Sequence, residues 1–316
     1  MNNDGLHVPK LTDSREDNAD WVELYALKDS DGNASFSDLK SALSQSGTAD
    51  ALEDEEDDGL SEPMTDDDRC EAVAEGAFFE IADREESCKN SVHGYPFGVD
   101  KNVVLQHDDT LGSVYTFLLL LSRYGHLGGD KDGAKLFEEV CAATAKSYLG
   151  AGDGYADSYV FGFPRRIGPR GFCAATDELC LKLGEGIGHR ERPDSPDQKD
   201  AKLDIVAWRN FADRRGGKLI TFGQCATGNN WAEKVGELPN PIDWCTLWLK
   251  DRPAVWPIRA FFIPHRAKQH NWLHVCAVGG ILFDRCRIVQ HSGLVAEELH
   301  KRIAKWSNKA VQKHLK

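Results

Sequence analysis

The chain has 316 residues, enough for two domains or one large one with an appendage, and 41% hydrophobic residues, enough for a sizeable core. Its net charge of −13 is divided unevenly: residues 1–110 hold 29 Asp+Glu against 8 Lys+Arg, a net of −21, while residues 111–316 hold 22 against 30, a net of +8. The overall charge therefore does not exclude a polyanion partner for the basic part. The longest apolar run, near Tyr115–Leu121, is too short to span a bilayer. The first residues have neither the basic nor the apolar region of a signal peptide. Nine cysteines without a Cys-x-x-Cys pair argue against a disulfide framework and a four-Cys zinc site, so a reducing, cytoplasmic compartment is expected.

In chain order, residues 1 to about 20 are polar and are expected to lack regular structure. Trp21–Leu27 and Ser37–Leu43 read as short helices, the second with Ser35 or Ser37 as cap. The acidic runs at Glu53–Asp58 and Asp66–Asp68 read as a solvated linker, or as a segment that competes with phosphates for arginines downstream. Cys70, Val73, Ala77, Phe78 and Ile81 have helical spacing; a Gly-Tyr-Pro-Phe-Gly loop at 94–98 follows, then helices at about 109–124 and 134–148. The last presents Leu136, Phe137, Val140, Cys141 and Tyr148 as an apolar stripe. The divisions expected are an acidic segment at 1–65, a helical subdomain at 66–150 and an α/β core at 151–316.

Within that core, Pro164–Gly171 is a Gly/Pro-rich loop carrying Arg165, Arg166 and Arg170, a composition suited to phosphate contact. A helix follows near Phe172–Leu183. Residues 188–200 read as a loop over the site. Leu203–Trp208 and Lys218–Ala226 have strand composition around the turn Asp213–Gly217 and read as a hairpin. Pairing in even register sets Asp204 and Gln224 on one side of the sheet; a one-residue slip sets Cys225 there instead. With Glu185 after the preceding helix, or Glu178 seven residues earlier, they make an oxygen-rich set suited to a hard cation. Beyond lie a helix from Trp231, a strand at Ile258–Ile263, scattered His265, His270, His274 and His291 in no zinc spacing, and a basic C-terminal helix. Residues 251–316 carry 12 Lys+Arg against 4 Asp+Glu, an ancillary phosphate surface.

The order of helix acid, strand Asp, then Gln on the next strand followed by a helix resembles the PD-(D/E)XK nuclease superfamily over roughly residues 170–265. The resemblance implies an α+β fold, a restriction-endonuclease-like central sheet flanked by helices. It implies Glu185, Asp204 and Gln224 as ligands of Mg²⁺ or Mn²⁺, and endonuclease activity on nucleic acid, DNA first, in prokaryotic restriction, repair or antiviral defence. The family's lysine falls on Ala226, and Lys234, ahead of Lys218 and Lys202, is the expected surrogate. Arg165, Arg166, Arg170 and Trp231 are the expected nucleic-acid contacts, and a protein partner or a homo-oligomer is compatible with the pattern. Two other readings stand beside it: a catalytically inactive nuclease fold that binds nucleic acid or protein, and a hydrolase using Cys225 with His270 or His274 as base.

Overall fold

The computed structural model describes residues 5–47, 64–92, 94–125 and 131–316, so the acidic run at 53–58 lies outside the described residues. The chain divides into two compact units, residues 1–120 with 304–316, and residues 121–303. The division differs from the expected boundary at 150. The helix at 134–148 belongs with the sheet rather than with the helices before it, because its apolar stripe packs on strands that follow it.

The first unit contains α1 (Arg15–Lys28), β1 (Asn33–Ser35), α2 (Phe36–Gly47), α3 (Asp66–Cys88), β2 (Phe97–Asp100), β3 (Val103–Gln106) and most of α4 (Val114–Tyr124). Here three expectations change. Residues 15–20 are helical, with Ser14 accepting from the Asp17 N–H as the cap. The stretch after the 94–98 loop forms two strands, and β1–β3–β2 make a small antiparallel sheet. Helix α4 begins at Val114, after a 3₁₀ turn at Thr110–Gly112. Ser35 does cap the start of α2: its hydroxyl accepts from the Asp38 N–H, and the Asp38 carboxylate accepts from the Ser35 N–H.

The interior of α1 is unusual in being charged. Glu16, Asn18, Asp20 and Glu23 are buried beside Trp21, Val22 and Leu24. The partner of Asp20 and Glu23 is Arg84 of α3, fully buried, whose Nε bonds Glu80 at 3.0 Å, Nη1 bonds Asp20 at 2.8 Å and lies 3.0 Å from Glu23, and Nη2 bonds the Glu16 carbonyl at 2.9 Å.

The second unit is a five-stranded mixed sheet between helices. It comprises α5 (Lys131–Tyr148), β4 (Ala156–Val160), α6 (Phe172–Leu183), β5 (Ile205–Arg209), β6 (Leu219–Cys225), α7 (Trp231–Lys234), α8 (Pro241–Trp248), β7 (Ile258–Phe262), α9 (Trp272–Gly279), β8 (Ile281–Phe283), α10 (Arg285–Gln290) and the start of α11 (Glu297–His314). Strand order is β4-β5-β6-β7-β8; β4, β5 and β6 form an antiparallel meander, and β7 and β8 add in parallel. Alternation sends Val206, Trp208, Ile220 and Phe222 to one face, where Phe172, Leu179 and Trp244 of α6 and α8 cover them. Helix α5 packs against β4, β5 and β6. Gly223 is required there: a Cβ would stand 2.4 Å from Ile205 Cγ1 and 2.9 Å from Phe262.

Helix α6 occupies Phe172–Leu183 as its spacing predicts, and Gly184, left-handed at φ 67°, ends it. The β5–β6 pairing is antiparallel in the even register, Ile205 opposite Gly223. Strand β8 has no counterpart among the expected elements; three residues are too few for an alternation to register. All nine cysteines are unpaired, and among the described residues no helix is long and apolar enough to cross a membrane.

Candidate functional site

Asp204 stands immediately before β5, and its backbone is held from both sides. Its N–H donates to the Gly223 carbonyl at 3.0 Å, and its carbonyl accepts from Phe161 and Gly162 at 2.7 and 2.8 Å. The side chain is aimed by one further bond, the Cys225 N–H donating to Asp204 Oδ2 at 2.7 Å. That bond favours the ionised form, but burial outweighs it, and with the field of Glu138 holds the carboxyl well above the ordinary carboxylate range.

Glu138 is the acid that faces Asp204. It projects from α5, the helix preceding β4, and is 8% exposed. Burial pushes its carboxyl up to about 7, against the opposing effect of Lys135. Lys135, one turn earlier on the same helix, places its ammonium 2.7 and 2.9 Å from the two Glu138 oxygens and donates to the Phe163 carbonyl at 2.8 Å. Asp200 adds a third negative group: its Oδ2 accepts from the Phe163 N–H at 3.2 Å, and its charge raises both Glu138 and Asp204. Gly162 makes room for the pair, since a Cβ there would lie 2.7 Å from Glu138 Oε2.

Two clefts meet these carboxylates. One, of ≈ 470 Å³, is lined by the 197–202 segment, Asp204, Gln224, Cys225, Lys234 and Glu237. The other is lined by Lys135, Glu138, Tyr159, Arg166, Glu178 and Lys182, between α5, β4 and α6.

Of the residues singled out from sequence, Asp204, Gln224 and Lys234 therefore line one cleft. Gln224 is 4% exposed and its amide oxygen accepts from the Leu238 N–H at 3.1 Å, so its role is to hold the segment after α7. Glu185 is placed elsewhere. Its two oxygens accept from Gly217 and Ala254 N–H at 3.1 and 2.7 Å, which ties it to the chain entering β6. Asp204 sits at the other end of β6, ~20 Å away at the rise of an extended strand. Glu178 accepts from the Tyr159 hydroxyl and lines the second cleft.

The expected phosphate contacts divide as well. Arg165 is 7% exposed, lies 4.7 Å over the Phe161 ring and donates to the Arg170 and Lys199 carbonyls at 3.0 and 2.8 Å, stapling two loops together. Arg166 pairs with Asp132 at 2.8 Å and borders the second cleft. Arg170 is exposed. Trp231 packs at a tilt against Phe261 and His265 rather than standing clear. Lys202 is paired with Glu237 at 2.8 Å, and the Lys218 ammonium bonds the Leu183 carbonyl and Asn210.

Cys225 has no nucleophile's environment: burial and the neighbouring Cys141 thiol push its own thiol well above the usual range, the reverse of what activation requires. Among the described residues no group of three or more His, Cys, Asp and Glu side chains is arranged to hold a metal ion. Glu138 and Lys135 are functional candidates that motif spacing misses, although the sequence carries a signal for them. They flank the apolar stripe of the helix that directly precedes the first strand of the meander. No family model, no curated protein and no solved structure matches this chain.

Proposed function

We propose that residues 121–303 form a metal-dependent nuclease core, restriction-endonuclease-like in fold, that hydrolyses phosphodiester bonds in DNA. The observation that carries the reading is the Glu138–Asp204 pair: two carboxylates from different elements, Glu138 buried and Asp204 half-buried, each driven toward neutrality by desolvation and by neighbouring acids, and each lining a cleft. Supporting it, the order α5, β4, β5, β6, α7 and α8, then β7 parallel to β6 follows that of such a core with the acid helix first, helix α6 being inserted between β4 and β5.

The donor chemistry fits Mg²⁺ or Mn²⁺. Both side chains offer hard oxygens, their mutual repulsion favours a divalent cation between them, and Mg²⁺ commonly takes only one or two carboxylates and completes its shell with water and substrate phosphate. When bound, such a cation lowers the pKa of a water and stabilises charge developing at phosphorus. Glu138 and Asp204 would hold it. The Cys225 N–H fixes the Asp204 carboxylate, and the Asp204 backbone bonds to Phe161, Gly162 and Gly223 hold the residue in place. Lys135 keeps Glu138 aimed and stands nearest the carboxylates, so it takes the charge-balancing role that the sequence pattern assigns to Lys234. Lys234 lines the neighbouring cleft with Lys199 and Lys202, facing Asp197, Asp200, Asp204 and Glu237, with Lys202 paired to Glu237 at 2.8 Å.

Incubating the purified protein with plasmid and single-stranded DNA, with Mg²⁺, with Mn²⁺ and with chelator, tests the reading. Cleavage by the parent is expected to need the cation, to fall by about 10²–10³ or more in Asp204→Asn and Glu138→Gln, and to persist in Glu185→Ala. Lys135→Ala is expected to lose more rate than Lys234→Ala. DNA binding without cleavage under every cation would favour an inactive binding module instead.

A further inference from the structure

At the opposite end of β4 and β5 from Asp204 lies a third cleft of ≈ 600 Å³. It is formed where the chain enters β4, leaves β5 and ends α6. Its walls include two aromatic side chains that no core claims, Tyr155 at 40% and Phe211 at 59% exposure. Leu181, at 82% exposure, stands beside them. Every charged side chain lining it is a cation: Lys182, Arg214 and Lys218. Of the acids near it along the chain, Asp153 pairs with Arg209, Asp213 accepts from the Arg215 N–H and Glu185 accepts from the Gly217 and Ala254 N–H groups, while Glu178 pairs with Lys182 at 3.5 Å and offsets that charge, which leaves Arg214 as the exposed cation of the cleft. The carbonyl end of α6 would repel an anion here, but the buried Lys218 ammonium caps the Leu183 carbonyl at 2.7 Å and bonds Asn210 at 2.8 Å.

Exposed rings beside fixed positive charge are the combination that binds unpaired nucleotides. Bases present their faces to aromatic side chains, and phosphates follow the cations. A base pair inside a duplex offers no such face to a ring at the wall of a cleft. The cleft is also placed to serve the carboxylates. Lys182 lines both it and the cleft containing Glu138, so the two adjoin along β4, the edge strand of the sheet. The five residues of β4 span ~17 Å at the rise of an extended strand.

We infer that this cleft binds an unpaired stretch of the DNA substrate, with Phe211 and Tyr155 receiving bases and Arg214 the phosphates, and leads that strand along β4 toward Glu138. The inference rests on the nuclease reading for its destination and on the cleft itself for its binding chemistry.

Fluorescence anisotropy of labelled oligothymidylate and of a duplex of equal length, measured in chelator so that no cleavage occurs, tests it. The double variant Tyr155→Ala, Phe211→Ala is expected to weaken oligothymidylate binding by about tenfold or more and duplex binding far less. Arg214→Ser is expected to weaken it less and to flatten its salt dependence. Because these rings are exposed, the melting temperature should hold, and circular dichroism checks it. Equal affinity of the double variant and the parent for oligothymidylate, or equal losses for single strand and duplex, would overturn the inference. If the rings prove necessary for binding but the parent cuts nothing with Mg²⁺, the cleft stands and the nuclease reading falls. If the parent cuts while the double variant binds and cuts as the parent does, the reverse holds.

Discussion

Each unit buries a cluster of carboxylates, and the two clusters are built on opposite terms. In the first, Glu23, Asp20 and Glu80 surround the Arg84 guanidinium, and each of its nitrogens has an oxygen within 3.0 Å. The acids there raise the guanidinium pKa well above its ordinary value, so the cation stays charged. In the second, Lys135 is bonded to Glu138, and Asp204 is left with one backbone N–H and the field of two further carboxylates. Both clusters hold more acids than cations, but in the first each carboxylate is bonded to a buried donor, Glu23 to the Tyr95 and Tyr115 hydroxyls besides Arg84, and the cluster is a fastening. In the second Asp204 borders an open cleft, a place for something that brings positive charge.

Breaking the fastening should give the largest effect. Arg84→Met removes the common partner of three buried acids, and stranding them is expected to cost about 3–5 kcal/mol in urea unfolding. A loss under ~1 kcal/mol would mean the cluster opens to water and the contrast between the two units is false.

Next in size is the pH dependence of the second cluster. Glu138 has its carboxyl raised from 4.5 to about 7, so the folded protein holds a proton there that the unfolded chain has released. That stabilisation is complete below pH ~4.5 and is lost as pH rises toward about 7, on a scale of about 1.4 kcal/mol for each pH unit separating the folded and unfolded values. Thermal unfolding of Glu138→Gln is therefore expected to show a shallower decline with pH over that window than the parent. Added Mg²⁺ should raise the parent's melting temperature at pH ~8 and leave that of Glu138→Gln nearly unchanged. Parallel pH profiles for parent and variant would remove Glu138 from the account.

The smallest effect is expected at Glu185. Glu185→Ala forfeits two backbone hydrogen bonds, to Gly217 and Ala254, for about 1–2 kcal/mol of stability, and leaves cleavage per folded molecule as it was. A variant stable but unable to cut would return Glu185 to the site.

Local pattern determined much of this protein. The hairpin of β5 and β6, its even register, both ends of helix α6 and the strand at β7 follow from alternation, turn residues and a capping glycine, all of which act over a few residues. Asp204 is legible for the same reason, as an acid at the head of a strand opposite an amide. The helix acid is not. An apolar stripe states that a helix buries one face but not which strands it meets, and both α5 and α6 carry such a stripe beside this sheet. Only the packing of α5 against the meander sets Glu138 beside Asp204, while the end of α6 carries Glu185 to the far end of β6. Helix α1 is longer than its apolar residues suggest because its buried face holds Asp20 and Glu23, which look solvated until Arg84, more than sixty residues on, comes to pair with them and to bond the Glu16 carbonyl. Hydrophobic periodicity records what a residue avoids, and a buried charge is decided by a partner that lies outside any local window.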